Sequence, residues 1–178
     1  MSLRKRRRGG SVMVEFTLVG IPLIFVLISV FEVARGMWIY HTLAYAIKEG
    51  TRYAIVHGHN CDLDPNTCET TVQDVVGRIK DAAVGLLPDD FNIRLWYGVP
   101  TSTCGADCVP CEPLGTSGCL ANTNRWPEYP KNQPSMDISI TGTYRFRSAI
   151  SMFWPGAGRG MNFGTFDLPA SSTESIQF

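Results

Sequence analysis

Histidine is scarce in this chain, with three in 178 residues. That removes the commonest general base near neutral pH, and no Ser, His and Asp arrangement stands out. Paired Cys-x-x-Cys motifs at zinc-finger spacing are also missing. The run Cys104-x3-Cys108-x2-Cys111-x7-Cys119 has the wrong rhythm for them. Gly156-Ala-Gly158-Arg-Gly160 lacks the spacing and the strand–turn–helix setting of a dinucleotide fingerprint, so it reads as loop. Asp62-Leu-Asp64-Pro-Asn66 starts like a calcium loop, but Thr67 and Gln73 stand where Gly and Glu belong. A turn built on Asp, Pro and Asn is the better account. His57-Gly-His59-Asn-Cys61 offers donors to a metal only if its thiol is free. Nothing here gives positive support to catalysis, a cofactor or a resident metal.

Two further absences are informative. Residues 1–10 contain no acidic residue, and Phe16 to Phe31 contain no charged residue at all. The first stretch instead holds Arg4-Lys5-Arg6-Arg7-Arg8, followed by Gly9-Gly10. The zero net charge of the whole chain therefore hides a basic start and a remainder of net −5. A basic cluster alone suits nucleic acid or nuclear import. Beside an apolar run it reads as topology, with the basic end retained in the cytoplasm and no nucleic acid partner.

Sixteen helical residues from Phe16 to Phe31 rise only ~24 Å, short of a hydrocarbon core of ~30 Å. Starting at Ser11 gives ~31 Å and brings Glu15 to the membrane boundary. A cleaved secretory signal fits less well. The run is too long, and Glu32-Val33-Ala34-Arg35 lacks a small-x-small site. Gly20 and Pro22 within the run predict a local kink near 18–22.

The six cysteines, Cys61, Cys68, Cys104, Cys108, Cys111 and Cys119, agree with an exported body. An even count there reads as disulfides. Local spacing makes Cys61–Cys68 a plausible pair and leaves four cysteines in a long loop over 98–135. Connectivity among those four stays open.

The pattern turns amphipathic beyond Phe31, so the helix is expected to continue onto a soluble domain, with Trp38 and Tyr40 as interfacial anchors or core. A loop over 58–70 follows. Thr71–Leu87 reads as a second helix, opened by a Thr71–Asp74 capping box and ended by Pro88. Phe91, Ile93, Leu95 and Tyr97 alternate with polar or bulkier neighbours as a strand. Met136–Phe146 gives a second strand, with Gly142 as a bulge or bend. A third falls within Asn162–Ser172. The expected class is α+β: a long N-terminal helix on a small antiparallel sheet, with a second helix and a cysteine-stapled loop.

Gly10, then four residues, then Glu15-Phe16 at the head of an apolar helix resembles the processing site of type IV pilin-like proteins. Ala46-Ile-Lys48-Glu49-Gly50-Thr-Arg52-Tyr-Ala54 resembles the A-x-R-E-G-x-R-x-A signature of TadE-like pseudopilins of tight-adherence (Flp) pilus systems. Lys48 replaces the usual Arg. The resemblance is strongest over residues 9–57 and implies cleavage between Gly10 and Ser11 by a prepilin peptidase. It implies a basic cytoplasmic leader 1–10, a transmembrane helix 11–31 and a periplasmic head 32–178. It also implies an inner-membrane, single-pass protein working in a hetero-oligomer. The partners would be a sister pseudopilin and other pilus components, with an inner-membrane platform and an assembly ATPase acting indirectly. Glu15 and Pro22 become candidates for subunit packing, with Glu15 pairing the new Ser11 amine of a neighbour. The competing reading is a single-pass anchored binding module that recognises a ligand through the 98–135 loop.

Overall fold

The computed structural model describes residues 9–57, 70–148 and 164–177. Its contacts divide the chain into two units. One comprises Met1–Gly36 with Ser148–Gly164, and the other comprises Met37–Arg147 with Thr165–Phe178.

Helix α1 spans Gly9–Ile55. In the first unit its apolar side chains are exposed, Phe16 and Phe31 each to 75 %. Pro22 lies inside the helix without ending it. Polar side chains in this stretch turn back on the backbone. Thr17 Oγ1 donates to Met13 C=O at 3.0 Å, and Ser29 Oγ donates to Phe25 C=O at 2.8 Å. Such back-bonding lets a hydroxyl sit in an apolar segment without an outside partner.

In the second unit the same helix buries one face. Ile39, Leu43, Ala46, Ile47, Ala54 and Ile55 are all at or below 4 % exposure. Their three- and four-residue spacing is what one helix face requires. Helix α2, Val72–Ala82, adds Val72, Val75, Val76 and Ile79. Thr71 caps it as expected. Its Oγ1 accepts from Asp74 N–H at 3.2 Å, and its own N–H donates to Asp74 Oδ2 at 3.0 Å. The helix ends at Ala82, short of the expected Leu87. Ala83 leaves the helical region at φ −83, ψ 50. Leu86 still reaches the core, and Pro88 opens a single 3-10 turn, Pro88–Asp90.

Among the described residues four strands follow: β1 Phe91–Tyr97, β2 Cys108–Cys111, β3 Asp137–Arg147 and β4 Thr165–Ser175. They form one antiparallel sheet in the order β2-β1-β3-β4. Phe91, Ile93 and Leu95 of β1, with Ile138, Ile140, Tyr144 and Phe146 of β3, join the helical side chains in one core. This is the α+β layout expected from the sequence. Two details differ. β2 was not foreseen; it lies inside the cysteine loop, each of its ends carrying a disulfide. β4 runs to Ser175, past the expected end at 172, because pairing with the whole of β3 decides its extent, while residues 162 and 163 lie outside the described residues.

Gly142 is not a bulge. It sits in unbroken register between Ile93 of β1 and Ala170 of β4. Its role is clearance: a Cβ there would meet Ile47 Cδ1 at 2.6 Å and Phe91 Cε2 at 3.2 Å. The helix therefore rests on bare backbone at this point. Gly142→Val should force Ile47 and Phe91 out of place and destabilise the head by about 1–3 kcal/mol. Denaturant unfolding of the variant against the parent measures this, and an unchanged midpoint would refute the clearance argument.

Candidate functional site

The N-terminal part of α1 carries most of the residues singled out in the sequence. Gly10 and Ser11 lie in the helix, which is described from Gly9 onward. Glu15 is exposed in the helix, next to Phe16. Among the described residues one helix is long and apolar enough to cross a membrane, Val12–Ile55, with mean hydropathy 2.4 in its most apolar window and none of that window buried. Absence of burial separates it from the core helix of an ordinary globular domain, which hides the same composition inside. Past the apolar run, Glu32 Oε1 lies 3.7 Å from Arg35 on the next turn. The other oxygen of Glu32 is buried without a hydrogen-bond partner.

The structure divides the second signature by helix face. Ala46, Gly50 and Ala54 recur every fourth residue and are all buried. They form a ridge of small side chains, which lets other elements approach the helix axis closely. A Cβ on Gly50 would collide with Ile79 of α2 and come within 3.6 Å of Ile140 on β3. Lys48 and Arg52, four residues apart, are exposed, and Glu49 is half-buried between the two faces. In the folded chain, then, half of the signature packs the head and half faces outward. Sequence reading did not separate these roles. The four-residue spacing of small side chains was the available signal.

The cysteine loop is the second region. Cys104–Cys108 and Cys111–Cys119 are disulfide-bonded, with Cα atoms 5.2 Å and 5.8 Å apart. These four thiols are thus not a metal set. Cys61 and Cys68 lie outside the described residues, as do His59, the Asp62–Asn66 turn and the Gly156–Gly160 segment. The loop is held by backbone bonds at the N-terminal end of α2 and the C-terminal end of β1. Val72 and Gln73 N–H donate to the carbonyls of Asn124 and Asn122, each at 2.9 Å. Tyr97 N–H donates to Asp107 C=O at 2.9 Å, and Trp126 N–H to Thr70 C=O at 3.0 Å. Trp126 is fully buried beside the Tyr97 ring, 5.9 Å between centroids. Lys131 Nζ stands 4.4 Å over the Tyr97 ring and 2.6 Å from Asp107 Oδ1. The peptide bonds Glu112–Pro113, Trp126–Pro127 and Tyr129–Pro130 are cis. Arg94 of β1 is ion-paired with Glu112, and that hydrogen bond raises the guanidinium pKa further.

With this geometry in place, the comparison with known families is informative. The model of the TadE family, described as TadE-like protein, matches residues 10–52. The matched segment takes in Gly10, Glu15, Phe16 and most of the second signature, so the N-terminal segment of the chain is TadE-like, as its motifs suggested. The match points to a protein associated with a Tad pilus. Neither the curated proteins nor the solved structures contain a match to this chain.

Burial, then the nearby Glu128 and Asp107 carboxylates, pushes the Tyr97 hydroxyl up to about 12. A raised folded-state pKa means that the neutral phenol is favoured by folding. Its contribution is complete below the ordinary value near 10 and is lost as pH rises toward 12. Stability of the head should fall more steeply between those limits in the parent than in Tyr97→Phe. Denaturant midpoints across that range measure the difference, and parallel curves would refute the assignment.

Proposed function

We propose that this protein is a membrane-anchored pseudopilin that supports assembly of a tight-adherence (Flp) pilus. Its work is association rather than catalysis. The basic leader is retained in the cytoplasm and removed after Gly10 by a prepilin peptidase. The segment from Ser11 onward then crosses the bacterial inner membrane once, with the head in the periplasm. What supports this reading is the TadE-like match over residues 10–52, a segment that includes Gly10, Glu15 and Phe16 and an apolar helix with its side chains uncovered.

The chemistry of Glu15 supports the same reading. A carboxylate at the edge of lipid is costly unless neutralised or paired. Cleavage after Gly10 creates an α-ammonium on Ser11. In a bundle of such helices, Glu15 of one subunit pairs with the Ser11 amine of its neighbour and fixes their axial register. Helix contacts of this kind bring in a sister pseudopilin and other pilus components, with the membrane platform and the ATPase motor acting on the assembled set. The disulfide-fastened 98–135 excursion favours a second reading, an anchored binding module unrelated to pili. It too needs an oxidising compartment.

N-terminal sequencing of membrane-purified protein separates the two. The pseudopilin reading expects a mature chain beginning at Ser11. A chain that keeps Arg4–Arg8 would sink it. Glu15→Ala should still insert into the membrane but should lose co-purification with the assembled machinery. Undiminished co-purification would remove the proposed pairing.

A further inference from the structure

The sheet has two edges, formed by β2 and β4, and they differ chemically. In an antiparallel ladder, successive residues turn their N–H and C=O alternately toward the neighbouring strand and away from it. Contacts at the end of the β3–β4 ladder fix this alternation. Ile176 N–H donates to Met136 C=O at 2.8 Å, and Ile176 C=O accepts from Ser135 N–H at 2.9 Å. The carbonyl of Asp137, opposite Ser175, turns the other way and accepts from Gly98 N–H at 2.8 Å. Register from Asp137–Ser175 to Arg147–Thr165 is unbroken. Even-numbered residues of β4 therefore bond to β3, while odd-numbered residues from Thr165 to Ser175 present N–H and C=O to the open edge. Side chains agree. Thr173 Oγ1 lies 2.7 Å from Ser139 Oγ, and Ser175 Oγ donates to Asp137 Oδ1 at 2.5 Å. Such closeness belongs to pairs without backbone bonds. Pro169 occupies an odd position, so its missing N–H costs the β3 ladder nothing.

The same test closes the other edge. Tyr97 N–H donates to Asp107 C=O, so Cys108 and Pro110 are the residues of β2 that face outward. Pro110 has no donor, and the strand is a short one between two disulfides. β4 is longer, and its odd residues are exposed throughout. On its helix side Phe166 is 51 % exposed, and Leu168 and Ala170 are only half-buried. The apolar face of the sheet thus continues past its helical cover as a shelf. On the other side stand Asp167, Ser171, Thr173 and Ser175.

One chemical class satisfies such an edge: another polypeptide backbone in extended conformation. We propose that the Thr165–Ser175 edge of β4 is a docking site for an extended segment of a partner protein, added to the sheet as a further strand. That segment alternates apolar residues, seated along Phe166, Leu168 and Ala170, with polar ones. A second copy of this chain fits poorly. With the β2 edge closed, only β4 against β4 remains, antiparallel about a two-fold axis, and that ladder would take in Pro169, which has no N–H, from both strands.

The test uses the full chain in detergent micelles and a synthetic peptide of residues 165–175 carrying Pro169→Val. Amide exchange is read at Ser171, Thr173 and Ser175. Saturating peptide should slow exchange at these amides by about tenfold or more. Ser171→Pro should abolish the slowing at Thr173 and Ser175 while leaving the unfolding midpoint of the chain in place, since that N–H is outside the β3 ladder and the Ser171 side chain is exposed. The proposal is overturned if the folded chain shows no slowing, or if slowing persists in Ser171→Pro. It is also overturned if these amides are already protected without peptide in a manner that grows with protein concentration, which would make the occupant a second copy. A chain that keeps its leader would end the pseudopilin reading and leave these outcomes unaffected.

Discussion

The head depends on how closely α1 approaches the sheet. At Gly142 the helix meets strand backbone rather than a side chain, with Ile47 in the space that a Cβ would fill. At Gly50 the relation is reversed: α1 gives way, and Ile79 of α2 and Ile140 of β3 move in. Two glycines on different elements thus set the spacing of helix to helix and helix to sheet. The large residues around them, Leu43, Ile93, Ile138 and Ile140, are fully buried, which is the density expected when layers interlock. A glycine in a helix or strand interior carries a cost of about 0.5–1 kcal/mol relative to alanine. Here that cost is offset by the packing it permits.

The loop between β1 and β3 follows from the same arrangement. A stretch this long needs its own fastenings, since buried backbone must find partners. It finds them at the N-terminus of α2, where the first helical N–H groups have none within the helix. Asn122 and Asn124 carbonyls take those donors, and Trp126 follows them into the core. The disulfides close only short circuits, four and eight residues apart in sequence. They shape β2 and its flanks, and the backbone bonds attach the loop to the head.

Much of this was legible in the sequence. The capping box at Thr71 and Asp74, the alternation from Phe91 to Tyr97 and the strand ending near Phe146 are local patterns, and they are read correctly because local chemistry decides them. The apolar run behind Arg4–Arg8 and the two signatures carry the TadE-like resemblance, and the family match covers residues 10–52. What was missed depends on distant residues. β2 exists because β1 is there to pair with it. The extent of β4 is set by β3. The early end of α2 reflects Leu86 and Pro88 serving the core and a 3-10 turn rather than another helical turn. Gly142 is the instructive error. A lone glycine in a strand suggests a bulge as readily as a close approach, and only the position of Ile47 distinguishes them.

The matched segment, residues 10–52, joins two physically different demands on one helix. Between Val12 and Phe31 the large apolar side chains are uncovered, with hydroxyls folded back on their own carbonyls. From Ala46 to Ala54 small residues recur every fourth position and are buried. Mean hydropathy sees only the first. The second is a packing code, and it explains why a signature containing charged residues is nonetheless a core element. Lys48 and Arg52 project from the face opposite the small-residue ridge, so the conservative exchange of Arg for Lys at 48 leaves the packed face untouched. It bears instead on the exposed face. There Arg offers a planar fork and Lys a single point charge, so the departure from the TadE-like signature changes the exposed face and not the packed one.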